Sequence, residues 1–354
     1  MSVAANADRL NKIAEAVLYE GYMLYPYRAS AVKNQQRWNF GVLCPRAYSE
    51  KQDGTEAWKM QTEFLMEAHL TTELSIKVRF LQIVTRSIGK LTHPLVELPS
   101  EGEPEFTIVD KLEIGGRTFV PWEEAAEREV IVPALPPGVP SLQQSRSFEI
   151  SAGRELEPLR DDGVIVGVIV RVWKALSGSV EINSQTREDG VVRFSVKVRN
   201  LSSGTSAQCR ADALPDSFVS THVCLSVENG QFISSIDPPE HLKSLSASCE
   251  NIGCWPVLVG EEGDRDTMLA SPIILYDYPQ IAAESPGSLF DGTEIDEILS
   301  LRILTMTDEE KHEMRQSDER ALQILERTEN MPAEQFMKLH GALRGLHPAG
   351  KEAQ

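Results

Sequence analysis

Between Leu74 and Phe80 the apolar residues Leu74, Ile76, Val78 and Phe80 alternate with Ser75, Lys77 and Arg79. A period of two sends successive side chains to opposite faces, so this stretch can only bury its apolar half as a strand in a sheet. The same pattern returns at Val191–Leu201, where Val192, Phe194, Val196 and Val198 face one way and Arg193, Ser195, Lys197 and Arg199 the other. Leu81 and Ile83 reverse the phase of the first run, which predicts a bulge or twist near Phe80. Thr62, Phe64 and Met66 supply a partner strand across a turn at Leu70–Glu73.

Further strands are expected at Phe106–Ile114 and Arg117–Pro121, joined by a two-residue turn at Gly115-Gly116. Val132–Pro140 carries four prolines and reads as an extended linker or crossing loop. Gly163–Lys174 is nearly continuously apolar, as in a strand covered on both faces. Ser177–Asn183 and Val191–Leu201 form a hairpin around Glu188-Asp189-Gly190, and short strands follow at Phe218–Val227, Trp255–Leu258 and Ile273–Tyr276. The chain opens with an amphipathic helix over Asp8–Leu24 and closes with helical patterns over Asp308–Asn330 and Ala333–Leu346. The fold class is thus mainly β (α+β), a β-sandwich-like core of immunoglobulin type with an N-terminal helix and a helical acidic C-terminal region. The expected organisation is residues 1–130 (helix, aromatic/basic loop, antiparallel strands), a Pro-rich linker at 131–145, a sandwich-like region at 146–290 and an acidic helical region at 291–354.

A formal charge of −18 over 354 residues argues against broad nucleic-acid binding or attraction to an anionic membrane. No apolar run approaches the roughly 20 residues of a spanning helix. With five cysteines and no leader pattern at the N-terminus, a cytoplasmic, reducing location is expected. The chain has no phosphate-binding glycine loop, dinucleotide fingerprint, HExxH, CxxC or nucleophile elbow, so no catalytic residue, cofactor or metal is assigned. His222, Cys224, Cys249 and Cys254 are weakly spaced as four soft ligands for zinc. The simpler reading is scattered free thiols.

Two stretches stand out. Tyr22–Tyr48 interleaves Tyr25, Tyr27, Trp38 and Phe40 with Arg28, Lys33, Arg37 and Arg46 and contains no acidic residue. Such a mixture anchors a protein partner or holds an anionic ring compound such as a nucleotide. It equally serves to pack the first helix on the sheet while its cations meet the acidic C-terminal region. That region, Glu284–Asn330, holds 13 acidic and 5 basic residues, a solvated face or a surface for a basic partner. The second stretch is Ser271–Phe290, where Tyr276, Asp277 and Tyr278 sit between an apolar run and a proline-bearing loop. It reads as a binding loop or as a structural cap on a sheet end.

EGYMLYPYRASAVKNQQRWNFGVLCPRAYSE (Glu20–Glu50) and SPIILYDYPQIAAESPGSLFDGTEIDEILSLRILTMTDEEK (Ser271–Lys311) resemble uncharacterised bacterial proteins encoded beside nickel–iron hydrogenase genes. The two stretches cover about a fifth of the chain. The resemblance implies a non-enzymatic accessory, assembly or partner protein that contacts a hydrogenase subunit or maturation factor. It brings no catalytic residues. Tyr25, Tyr27, Arg28, Arg37 and Trp38 are then the expected anchors of one contact, and Tyr276, Asp277 and Tyr278 shape a second. A small-ligand protein or enzyme with an unfamiliar site is the alternative, and edge strands leave room for a homo-oligomer.

Overall fold

The structure, a computed structural model, describes residues 3–19, 38, 40–135, 142–186, 190–204 and 207–280, with 303, 306–308, 311, 315, 322, 325, 326 and 328–330. The chain is mainly antiparallel β. Its spine is β1 (Lys59–Leu95), a strand of 37 residues, rich in the β-branched and aromatic residues that suit a pleated surface. After it come β2 (Phe106–Val109), β3 (Leu112–Ile114), β4 (Arg117–Phe119), β5 (Trp122–Leu135), β6 (Gln143–Ile150) and β7 (Gly153–Asp161). Then follow β8 (Val164–Trp173), β9 (Leu176–Thr186), β10 (Val191–Asn200), β11 (Val219–Phe232), β12 (Trp255–Leu258) and β13 (Thr267–Ser271). The helices are α1 (Val3–Leu18), α2 (Arg46–Lys51), α3 (Arg210–Ala213) and α4 (Lys243–Ala247).

Five strands pair with β1 in succession. β10 takes Lys59–Glu67, β11 takes Met66–Leu81, β5 takes Leu74–Arg86, β8 takes Thr85–Leu95 and β2 takes Ile88–Leu91. A strand has two hydrogen-bonding edges. Where two partners overlap they must lie on opposite edges, so β11 lies opposite both β10 and β5, and β8 opposite β5. The sheet extends outward as β12-β13-β11 on one side and β10-β9-β6 on the other.

The bulge expected near Phe80 is a register shift against β11 between Arg79 and Leu81, with the extra residue on β11 while the alternation of β1 continues. The Gly115-Gly116 hairpin joins β3 to β4, with both glycines at positive φ, 55° and 77°, as a primed turn requires. β9 and β10 pair antiparallel as expected, with Val192 opposite Thr186.

Three expectations are corrected. Thr62–Met66 is not a partner of Leu74–Phe80: both belong to β1, and residues 69–72 form an irregularity where the register with β11 slips. That excursion is held by Thr72, whose Oγ1 accepts from His69 N at 2.7 Å and donates to Asn229 O at 2.5 Å. The segment expected as linker begins as strand, since Val132 pairs with Ile76 and Leu135 with Leu74. Two residues, Pro133 and Ala134, stand there against one, Ser75, and a bulge is where a residue lacking an N–H fits a sheet. Third, Ile273–Tyr276 is irregular, and the strand lies earlier, at Thr267–Ser271. β1 pairs with strands from both sides of residues 131–145, within one continuous sheet. Most of 291–354 lies outside the described residues. Of those described there, Ile303, Met306 and Leu325 are buried.

The largest core cluster joins both halves of β1 to β9, β10 and β11. Phe64 stacks on Phe194 with centroids 5.7 Å apart and meets Phe232 edge-on at 5.6 Å; Phe80 stacks on Phe218 at 4.5 Å. On the opposite face α1 lays Leu10, Ile13 and Ala14 over Cys224, Val257 and Leu269. This explains why β11 is buried at every position from Val219 to Leu225. Replacing Phe64, wholly buried, with Ala removes a β1 side chain that packs on β10 and β11. Urea unfolding of Phe64→Ala is expected to show a loss of about 3–5 kcal/mol.

Candidate functional site

The two stretches that stood out in sequence meet in space. Residues 40–43 run along the start of β11: Ser220 N donates to Phe40 O at 3.1 Å, Thr221 N to Gly41 O at 3.0 Å, and Leu43 and Phe218 exchange backbone hydrogen bonds at 2.8 and 3.1 Å. Gly41 has φ +53°, and a Cβ built on it would lie 2.6 Å from Cγ of Pro272. Only glycine meets both demands, the left-handed backbone and the close approach. Phe40 on one side of this contact is 39% exposed, and on the other side Ile274 is 76% and Tyr276 84% exposed.

The segment after Pro272 is held by Asp277. Its Oδ1 accepts from Leu258 N at 2.8 Å and its Oδ2 from Ser234 Oγ at 2.5 Å. Ser234 Oγ in turn accepts from the N–H groups of Ile236 and Asp237, at 3.1 and 2.8 Å. Asp277 thus spends its acceptors on a turn and a strand end rather than on the hydroxyls of its neighbouring tyrosines. Ser234, its proton given to a carboxylate and its lone pairs to two amides, is no nucleophile. Tyr278 donates its N–H to Leu258 O at 2.7 Å and packs against the main core, while Leu275 packs beside α1. The loop therefore partly buries Leu275 and Tyr278 and presents Ile274 and Tyr276.

Trp38 does not face outward. It is 3% exposed, its Nε1–H points to Glu123 Oε2 at 3.4 Å, and its carbonyl accepts from Arg210 Nη2 at 2.9 Å. Its ring packs with Leu18, Tyr19, Tyr48, Leu81 and Ile83, so its part is to fasten the stretch to the sheet. Tyr19 does the same at the other end, donating its hydroxyl to Glu127 Oε1 at 2.6 Å. Tyr25, Tyr27, Arg28 and Arg37 lie outside the described residues. Phe40 was marked in sequence only as one aromatic of the stretch and Ile274 was not singled out, because exposure of an apolar residue leaves no mark in a local pattern.

Beneath α1 a row of polar groups crosses three strands. Arg79 stands opposite His222 on β11 and Glu129 on β5. Its guanidinium pairs with Glu127 at 3.0 Å and Glu129 at 3.2 Å and donates to Asn11 O at 3.3 Å. His222 is fully buried, with Nδ1 2.7 Å from Ser220 O. Burial, with the charge of Arg79 beside it, pushes its pKa down to about 4. Burial likewise raises the thiols of Cys44 and Cys224 to about 11 and that of Cys254 to about 12, so these are packing groups rather than thiolates. The zinc reading is not supported. Cys254 lies in the main core, Cys249 beside Leu65 and Leu242, and Cys224 under α1. Among the described residues no three His, Cys, Asp or Glu side chains are placed to hold a metal.

No protein-family model matches the chain, and comparison with curated proteins gives no match.

Two outcomes follow from this geometry. Gly41→Ala forces a Cβ into Pro272 and a side chain into the left-handed region, and denaturant unfolding should show a loss of about 2–4 kcal/mol. His222 makes stability acid-sensitive. Its folded pKa lies below the ordinary 6.5, so the unfolded chain binds the extra proton, and stability is complete above pH 6.5 and falls as pH drops. At about 1.4 kcal/mol per unit the loss reaches about 3 kcal/mol near pH 4. Unfolding of wild type and His222→Asn between about pH 7.5 and 4.5 checks this: the variant should lack that part of the acid slope, and equal slopes would sink the assignment.

Proposed function

We propose that this protein is a non-enzymatic accessory factor that acts through protein–protein contacts, with a nickel–iron hydrogenase subunit or maturation protein as its partner. The observation that carries the reading is the contact of Gly41 with Pro272, which brings together the two stretches whose sequences resemble hydrogenase-linked proteins. A contact between segments so far apart in the chain makes one surface from them. On it Phe40, Ile274 and Tyr276 are exposed, large apolar groups of the kind that anchor interfaces. In this reading Tyr25, Tyr27, Arg28 and Arg37 add aromatic and cationic contacts from the first stretch. Trp38, Asp277 and Tyr278 hold the surface in place, the β-core is a sandwich-like scaffold behind it, and the protein works in the cytoplasm.

The test is affinity capture from cells expressing hydrogenase, read by mass spectrometry. Wild type should recover a hydrogenase subunit or maturation protein. A Phe40→Ser/Ile274→Ser/Tyr276→Ala variant with unchanged circular dichroism should lose it by tenfold or more. Equal recovery by the folded variant would refute the surface, and recovery of no hydrogenase protein by wild type would refute the partner.

A further inference from the structure

On the opposite side of the β10–β1 layer from its core, three cations converge on one indole. The guanidinium of Arg46, from α2, lies 4.8 Å from the centroid of a Trp58 ring; the ammonium of Lys59, from β1, lies at 5.6 Å and the guanidinium of Arg199, from β10, at 5.9 Å. The main chain at Trp58 is tied to β10, since Trp58 O accepts from Asn200 N at 2.9 Å. Lys59 and Arg199 are directly opposed across the antiparallel pair, a placement of like charges that weakens a sheet. Ring attraction offsets only part of that repulsion at a partly exposed site. Arg46 is matched by Glu50 at 2.7 Å and Arg199 by Glu181 at 2.5 Å. Glu181 stands opposite Lys197 in the register but gives its carboxylate to Arg199. Lys59 and Lys197 are left without a carboxylate among the described residues.

We infer that this cluster is a recognition site for an acidic peptide segment of a protein partner. This inference rests on the protein-binding reading above but concerns a second set of side chains, separate from Phe40, Ile274 and Tyr276. Charge complementarity selects the ligand. In a chain of net charge −18, two unmatched ammonium groups beside a ring that already holds two guanidinium groups accept carboxylates. The net charge of −18 opposes a polyanionic nucleic acid, which sets a short peptide carboxylate above a nucleotide. A glutamate entering between Lys59 and Lys197 supplies the counter-charge that the opposed Lys59–Arg199 pair lacks and brings the ligand against Trp58, whose emission then reports binding.

The probe is a ten-residue polyglutamate peptide titrated into the full chain at low ionic strength, followed by tryptophan fluorescence and calorimetry, with Trp58→Phe identifying the responding indole. Saturable binding is expected, weakened at least tenfold in Lys59→Gln/Lys197→Gln and by a similar factor in about 0.5 M salt. The Phe40→Ser/Ile274→Ser/Tyr276→Ala variant should bind the peptide as wild type does, so failure at one surface is distinguishable from failure at the other. Equal affinity in the lysine variant, or no saturable binding at millimolar peptide, overturns the inference. Tighter binding of an oligonucleotide or polyphosphate of equal charge also overturns it, making the site one for phosphates.

Discussion

The hydrogen bonding of β1 to five other strands is the constraint on which the remaining architecture depends. A single strand flanked by β10, β11, β5, β8 and β2 in turn makes the sheet one body, and it carries every local irregularity to its neighbours. At the slip between Arg79 and Leu81 the extra residue lies on β11, where Ser220 has φ +51°, and the alternation of β1 continues unbroken. Phe80 enters the main core, and Leu81 and Ile83 lie on the opposite face with Trp38 and Tyr19. The surface on which the aromatic stretch rests is therefore the second face of β1.

The same crossing determines where charge is buried. β5 begins Trp-Glu-Glu-Ala-Ala-Glu-Arg-Glu, a run of good helix formers, yet it is a strand. Pairing along β1 overrides the local preference and supplies counter-ions: Glu124 meets Arg86 at 3.1 Å and Arg171 at 2.6 Å, Glu127 meets Arg79, and Arg128 donates to Gln82 at 2.8 Å. Taking charged groups out of water costs several kcal/mol apiece and is recovered only when each is well paired. The net stabilisation of such a network is modest, but slipping β5 along β1 would strand several half-buried ions at once. The ion pairs thus select the register more than they deepen the fold.

What could be read from sequence follows from this division. Alternation at Leu74–Phe80 and Val192–Arg199 reports strand and face, because both are local consequences of the pleat. Partners are not local. Thr62–Met66 has the alternation of a hairpin strand, and only the lack of a glycine, proline or asparagine at residues 69–72 argues against the turn. The strand at Trp122–Glu129 is hidden by its helix-favouring composition. For the site, the unusual residues of both stretches were visible, and their roles were not. Trp38 reads as an anchor for a partner and proves an anchor for the chain itself, since composition does not say which side of a sheet an indole faces. Gly41 carries the contact between the stretches, and its requirement comes from Pro272, 231 residues away.

The distribution of cations links these observations. A chain this acidic sets its arginines among its carboxylates: Arg79, Arg86, Arg171 and Arg210 are each partnered by glutamate. The guanidinium group suits that task, since its fork of donors can serve two carboxylates at once, as Arg171 does with Glu124 and Glu157. Lysine, a compact ammonium on a flexible stem, gains less from a fixed pair and keeps its hydration when exposed. The unmatched charges at Lys59 and Lys197 thus belong to the residue type that gives up least by waiting for a ligand. Beside them Arg199, already committed to Glu181 and to the Trp58 ring, fixes the geometry. Arginine builds the frame, and lysine leaves it a positive opening on an otherwise negative molecule.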